Sequence, residues 1–183
     1  PFGGFGKVQV ILNWGAPPAP AAAAEPPPAV AVAPKGFLGN LLGASKGTTA
    51  PKLPKTADLD LCCLFELTDG YRGVVQALGN NFGGFQTAPF VELMGDERQG
   101  SGTQAEIMRI NGKRWDEIRR LLFFAMIFDG IPNWAKANGR ARVLVPEQVP
   151  VSVRLDQATM DQRVCSIALL ENEGGKMVVH KRV

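Results

Sequence analysis

The sequence predicts an all-β protein: an antiparallel β-sandwich with one short helix and a long inserted loop rich in proline and alanine. Segments in which apolar and polar residues alternate, or in which every residue is apolar, recur along the chain. About nine of them follow one another at intervals of roughly ten residues, separated by turns that contain glycine, asparagine or proline. The helices that a parallel sheet would need between its strands are missing.

The first strand is followed by an abrupt change of composition. Residues 7–14 (KVQVILNW) alternate, which places Val8, Val10 and Leu12 on one face. Residues 15–55 then hold nine of the 14 prolines, which predicts an extended linker rather than a packed element. We therefore divide the chain into a first strand of the sandwich (1–14), an inserted linker or loop (15–56) and the main sandwich domain (57–183).

An apolar motif, GFLGNLLG at 36–43, lies inside the insertion. A flexible linker does not usually contain four large apolar residues within eight positions. The motif is predicted either to dock on a neighbouring surface or subunit, or to fold back on its own domain.

After the linker, the alternation and the turn residues predict a series of elements. The apolar run LLFFAMIF should form the central strand, covered on both faces. Asn111 and Trp115 fit a cap and a packed residue of the short helix. The predicted strands are 58–67, 71–78, 90–93, 106–110, 121–128, 140–145, 150–155, 164–170 and 177–183, with the helix at 111–119.

An acidic loop between two predicted strands suits a hard cation. Asp96, Glu97 and Glu106 occur there among glycines, and calcium takes carboxylate and carbonyl oxygens as ligands. The alternative is a solvated turn, since acids and glycines gather in turns. Asp58 and Asp60 alternate at the start of their strand and therefore share a face, either as further ligands or as charges that end the strand. Asp129 also lies at a predicted strand end.

Charge and length exclude some classes of protein. The formal net charge is only +3, with 20 basic and 17 acidic residues interspersed, so a nucleic-acid-binding face is not indicated. A local group of basic residues at 113–120 is the exception. No apolar run approaches the roughly 18 residues that a membrane span needs, which predicts a soluble protein.

The sequence offers little for catalysis. The chain has three cysteines, Cys62, Cys63 and Cys165. An odd number indicates a reducing compartment, and we expect each cysteine to have a structural role. Neighbouring residues of a strand face opposite sides, so one of the vicinal pair should be buried and the other exposed or against a second layer. The single histidine, His180, has no suitably spaced nucleophile, and the serine at 100–102 lacks the context of a nucleophile elbow. We expect a protein that is not an enzyme.

The order of segments from 59 to 183 resembles the TerD-type domain of tellurium-resistance proteins, closest to the TerA branch. The segments that carry the resemblance are DLDLCCLFEL (58–67), GYRGVVQALGNNFG (70–83), VELMGDERQG (91–100), INGKRWDEIRR (110–120), FDGIPNWA (128–135) and CSIALLENEGGKMVV (165–179). The strand at 7–14 also fits the opening strand of the family.

The resemblance implies a bacterial stress-response protein, cytoplasmic or peripheral to the membrane, whose sandwich binds calcium through acidic loops at one end. It implies partners among other tellurium-resistance proteins or further copies of the chain, and the charge balance already argues against nucleic acid as a partner. The alternative function is a structural subunit that assembles into an oligomer or filament through the inserted loop and its sheet edges.

The resemblance also implies a set of metal ligands. Asp58 and Asp60 match the acids of the family's LDLD-like strand, Asp96 matches the aspartate of its GDxR-G element, and Glu106 matches the last acid of its acidic cluster.

Two departures from the family pattern weaken the implied calcium site. Thr103, Gln104 and Ala105 stand where calcium-binding members have a run of aspartates. Val75 stands where they begin a strand with aspartate, although an asparagine follows at 80 or 81. Fewer carboxylates mean a lower affinity, so calcium binding is expected to be weak or lost.

Overall fold

A computed structural model describes residues 5–15, 57–96, 104–129, 132–158 and 162–182, apart from the side chains at 95, 96 and 104. The inserted segment 16–56, with its motif at 36–43, and the loop at 97–103 lie outside the described residues. The described residues confirm the predicted all-β class with two antiparallel sheets of five strands each. The strands are β1 (Lys7–Trp14), β2 (Asp58–Leu67), β3 (Arg72–Val75), β4 (Val91–Asp96), β5 (Gln104–Asn111), β6 (Ile118–Asp129), β7 (Arg140–Leu144), β8 (Val151–Arg154), β9 (Val164–Glu173) and β10 (Lys176–Lys181).

The two sheets enclose one hydrophobic core. The strand order is β4-β5-β1-β7-β8 in the first sheet and β10-β9-β6-β2-β3 in the second. Side chains from both sheets, such as Val10 of β1 and Phe123 of β6, belong to the same buried cluster. Two antiparallel sheets that share a core in this way form a β-sandwich.

The first strand occupies the middle of its sheet. β1 pairs with β5 along its whole length and with β7 over five residues. Val8, Val10, Leu12 and Trp14 all point into the core and are at most 2% exposed. The predicted alternation of this strand is confirmed, because one face of β1 meets the second sheet.

β6 is the third of five strands, as predicted for the apolar run, but its two faces differ. Leu121, Phe123, Ala125 and Ile127 are buried in the core. Leu122 and Phe124 on the opposite face are only half-buried. The prediction of a strand fully covered on both sides is therefore wrong for the outer face, which borders an open groove.

The predicted strand at 71–78 is shorter in the structure. β3 ends at Val75, and beyond it Gly79 and Asn80 take left-handed backbone conformations, with φ of 76° and 58°. The Asn81 side chain donates a hydrogen bond to the Val74 carbonyl (2.5 Å), and the chain turns through a 3-10 helix at Leu78–Asn80.

The predicted short helix is a 3-10 helix, Gly112–Glu117, and Asn111 caps it by accepting a hydrogen bond from the Lys113 N–H (3.3 Å). Trp115 anchors it in the core, with its ring edge-on to Phe5. One α-helical turn, α1 (Trp134–Ala137), was not predicted, although an asparagine stands at each of its ends. Among the residues that the structure describes, no helix is long and apolar enough to cross a membrane.

Candidate functional site

Acidic residues from four strands come together at one end of the sandwich, which we call the acidic end. Asp58 and Asp60 open β2, Asp96 closes β4, Glu106 lies near the start of β5, and Asp129 closes β6. Asp96 is the register partner of Glu106, and Asp58 is the register partner of Asp129. The backbone therefore positions the four residues predicted from the family at this end, together with Asp129.

Glu106 joins the two sheets at the acidic end. Its side chain lies on the inward face of β5, with Met108 and Ile110, and is 7% exposed. One carboxylate oxygen, Oε2, accepts a hydrogen bond from the backbone N–H of Leu61 at 2.5 Å. β3 pairs with β2 only from Cys63 onward, so Leu61 lies beyond the end of β3, where a side chain of the first sheet can reach it.

Asp60 and Glu106 act electrostatically on the same thiol. Burial, and after it the nearby carboxylates of Asp60 and Glu106, together raise the pKa of Cys62 to about 12. A carboxylate raises the pKa of a thiol appreciably only when the two groups are close, so both carboxylates lie near Cys62. Asp60 of the second sheet and Glu106 of the first sheet thus approach one region.

The vicinal cysteines are both buried free thiols. Cys63 belongs to the core, and burial raises its pKa well above the usual value. Cys62 lies on the opposite face of β2. As predicted, the two cysteines face opposite sides of β2, but neither thiol is exposed.

Asp58 and Asp129 form the rim of the acidic end. Both are exposed, and they face each other across β2 and β6. Residues directly opposite in an antiparallel pair have their Cβ atoms about 5 Å apart. Asp129 belongs with the other acids although the family pattern did not include it. Its position at the end of an apolar run was the signal in the sequence.

The residue types at the acidic end suit a hard cation, although no three of its described side chains bring ligand atoms within 4.8 Å of one another. Carboxylate oxygens are the ligands that calcium and magnesium prefer, whereas zinc favours cysteine and histidine. Val75, which the resemblance aligns with an aspartate of calcium-binding members, is completely buried opposite Cys63 and offers no ligand. The side chains of Asp96 and Gln104 and all of Glu97 and Thr103 lie outside the described part.

A second charged cluster, which the sequence did not reveal, surrounds Glu66 on the outer face of β2. The Glu66 carboxylate pairs with Arg72 (2.8 Å), Arg119 (3.2 Å) and Arg120 (2.6 Å). These bonds, first of all the one from Arg72, lower the pKa of Glu66. The basic residues at 119 and 120, which looked like a local exception to the mixed charge, are therefore partly neutralised.

Three more side chains of ligand type meet on the β9–β10 hairpin. Oxygen or nitrogen atoms of Glu171, Glu173 and His180 lie within 4.8 Å of one another. His180 Nε2 is 3.2 Å from a Glu171 oxygen. None of the three was predicted as a site residue.

Comparison with known proteins places the sequence beside tellurium-resistance proteins. No protein-family model matches the sequence. Tellurium resistance protein TerA from Alcaligenes sp. is 38% identical to this chain over 177 residues. The match covers 97% of this chain but 45% of the relative, so the chain spans less than half the length of that protein.

Proposed function

Because the chain belongs to the Ter family of tellurium-resistance proteins and is TerA-like, we propose that it is a non-enzymatic tellurium-resistance and stress-response protein that binds calcium at the acidic end. The observation that carries the calcium part is the approach of Glu106, from the first sheet, to Asp60 and Leu61 of the second. A cation there would bind both sheets at once. The protein would then serve as a scaffold in which calcium ties the loops together at this end of the sandwich.

Asp60 and Glu106 would supply the inner ligands. A carboxylate oxygen has lone pairs for more than one partner, so Glu106 would bind a cation while it accepts the hydrogen bond from Leu61. Asp58, Asp129 and Asp96 would complete the oxygen set from the rim. Calcium would offset the negative charge gathered at this end, and its affinity would be modest because Val75 replaces a ligand position.

Thermal unfolding with and without calcium tests the proposal. A ligand that binds only the folded protein stabilises it by about 2.7 kcal/mol when its concentration is a hundred times Kd. We expect excess calcium, against a chelator, to raise the midpoint of the wild type but not of Asp60→Asn or Glu106→Gln. Asp116→Asn, an exposed acid in the 3-10 helix at the other end of the sandwich, is the matched control and should keep the shift.

The same melting curves can contradict the proposal. An unchanged wild-type midpoint in saturating calcium would eliminate the site. An equal shift in all four proteins would mean that calcium acts elsewhere on the chain.

The second candidate function is self-assembly as a structural subunit, alone or with other tellurium-resistance proteins. The observation that favours it is that both sheets are open, with β4, β8, β10 and β3 as outer strands. Outer strands carry unpaired backbone groups that can pair with another copy. Light scattering on the intact chain and on a chain without residues 36–43 tests it. The intact chain should have the mass of an oligomer, and a single-chain mass at all concentrations would exclude assembly.

A further inference from the structure

The outer face of the second sheet carries two parallel rows of side chains that cross its strands. In the first row, Arg72, Glu66, Arg120 and Glu171 are successive register partners on β3, β2, β6 and β9. In the second row, Val74, Leu64, Leu122 and Leu169 occupy the neighbouring positions of the same four strands. A charged row thus runs beside an apolar row.

A groove of about 810 Å³ lies over these rows. The four apolar residues form its floor, Arg72 and Arg120 stand on one side, and Arg182 and Ser166 also line it. Leu64 is 47% exposed, and the other three are half-buried. Single exposed leucines are ordinary, but a continuous apolar row in a concave site marks a binding surface. The volume lies in the range of small-molecule sites, roughly 300 to 1,000 Å³.

Positive charge exceeds negative charge around the groove. One carboxylate, Glu66, is shared by three guanidinium groups, which leaves two positive charges in excess. Within the described part of the chain, no carboxylate pairs with Arg182. Glu171, the next acid in the charged row, is already in contact with His180. Arginine is the residue best suited to bind carboxylate and phosphate groups.

The floor favours a hydrocarbon chain over a peptide. The apolar row crosses four strands, about 14 Å at the usual spacing between strands. A peptide laid along it would leave its backbone N–H and carbonyl groups over aliphatic side chains, and unpaired polar groups are costly to bury. A hydrocarbon chain has no such groups.

We propose that this groove binds a single-chain amphiphile with an anionic head, of the fatty-acid class. The hydrocarbon lies along Val74, Leu64, Leu122 and Leu169, and the carboxylate is held by the surrounding arginines. The site is separate from the acidic end, since Glu66 and Arg120 lie at the opposite ends of β2 and β6 from Asp58 and Asp129. It therefore does not depend on calcium binding.

Isothermal titration with dodecanoate, below the concentration at which it forms micelles, tests the proposal on the intact chain. We expect saturable binding of one molecule per chain. Dodecyltrimethylammonium, with the same hydrocarbon and the opposite charge, should bind at least about tenfold more weakly, and acetate should show no binding. Equal binding of both amphiphiles would overturn the proposal, because it would show that the site does not distinguish an anionic from a cationic head group.

Two pairs of variants locate the site. Leu122→Asp places a negative charge in the floor, and Arg182→Glu reverses a charge at the side. Each should weaken dodecanoate binding by about tenfold or more. Leu78→Asp, at a leucine that is 52% exposed outside the groove, and Arg142→Glu, on the first sheet, make the same chemical changes elsewhere and should bind as the wild type does. If Arg182→Glu stays folded by circular dichroism and binds normally, the groove is not the site.

Discussion

The carboxylate of Glu106 in β5 and the backbone N–H of Leu61 in β2 link the two sheets of the sandwich by a hydrogen bond of 2.5 Å. The two residues are 45 positions apart in the sequence. Since β3 does not extend to Leu61, this carboxylate replaces the partner that a neighbouring strand would have provided. The bond fixes the first sheet against the second at the acidic end.

Glu106→Ala is expected to destabilise the protein by about 2 to 3 kcal/mol even without calcium, because it removes a charged acceptor from a buried N–H. Glu106→Gln keeps an acceptor oxygen in the same place and should cost about 1 kcal/mol or less. Chemical denaturation in the presence of a chelator measures both. Asp116→Ala is the control for losing an exposed acid. Equal losses for Ala and Gln would mean that the charge, and not the hydrogen bond, matters.

Cys62 is expected to be unreactive in the folded protein. A thiol with a pKa of about 12 has roughly one molecule in ten thousand ionised at pH 8, and the thiolate is the reactive form. Iodoacetamide followed by peptide mass spectrometry should therefore find Cys62 unmodified in the native chain. In guanidinium chloride all three cysteines should be alkylated. Rapid native labelling of Cys62 would contradict the raised pKa of this thiol.

The sequence revealed local features better than contacts between distant segments. The bounds of β1 and β2 follow from alternation and flanking turns, both of which are local. Glu66 meets Arg119 and Arg120 across more than fifty positions, and no periodicity records such a pairing. The apolar sequence of β6 is compatible with an outer face that is covered by other residues and with one that lines a groove, as Leu122 does. Composition cannot distinguish these two environments.

The bonds of Glu66 predict a loss of stability in acid. A carboxyl whose pKa is lower in the folded protein stabilises the fold above its unfolded value and loses that contribution as the pH falls. The three arginines lower the pKa of Glu66 below its ordinary 4.5, so the loss should occur as the pH falls through and below that value. Glu66→Gln removes the carboxylate, so it should be less stable than the wild type at pH 7 and approach it in acid.

Denaturant midpoints of the wild type and Glu66→Gln, measured from pH 7 down to about pH 3, check this expectation. Asp116→Asn, an exposed acid outside the arginine cluster, serves as the comparison. A difference between wild type and Glu66→Gln that stays constant with pH would show that the arginines do not favour the ionised form.

Gly83 is expected to tolerate no side chain, because its backbone lies against β4. Its φ is 73°, and it forms an isolated bridge with Glu92. A Cβ atom at this position would overlap the Val91 carbonyl oxygen and approach a Val75 methyl to 2.9 Å. The Val91 oxygen also accepts the Gly84 N–H at 2.9 Å, so it cannot move away without breaking that bond.

Gly70→Ala is the control for Gly83→Ala, because it separates the cost of the left-handed backbone conformation from the cost of the steric overlap. Gly70 has a φ of 89°, but a Cβ atom there meets nothing within 4 Å. Alanine should therefore cost about 1 kcal/mol at Gly70, the usual strain of a left-handed residue. At Gly83 it should cost about 3 kcal/mol or more, because the overlap with rigid backbone is added to the same strain. Urea denaturation of the two variants gives the difference directly. Similar losses at the two sites would mean that β4 does not lie against Gly83 as the structure has it.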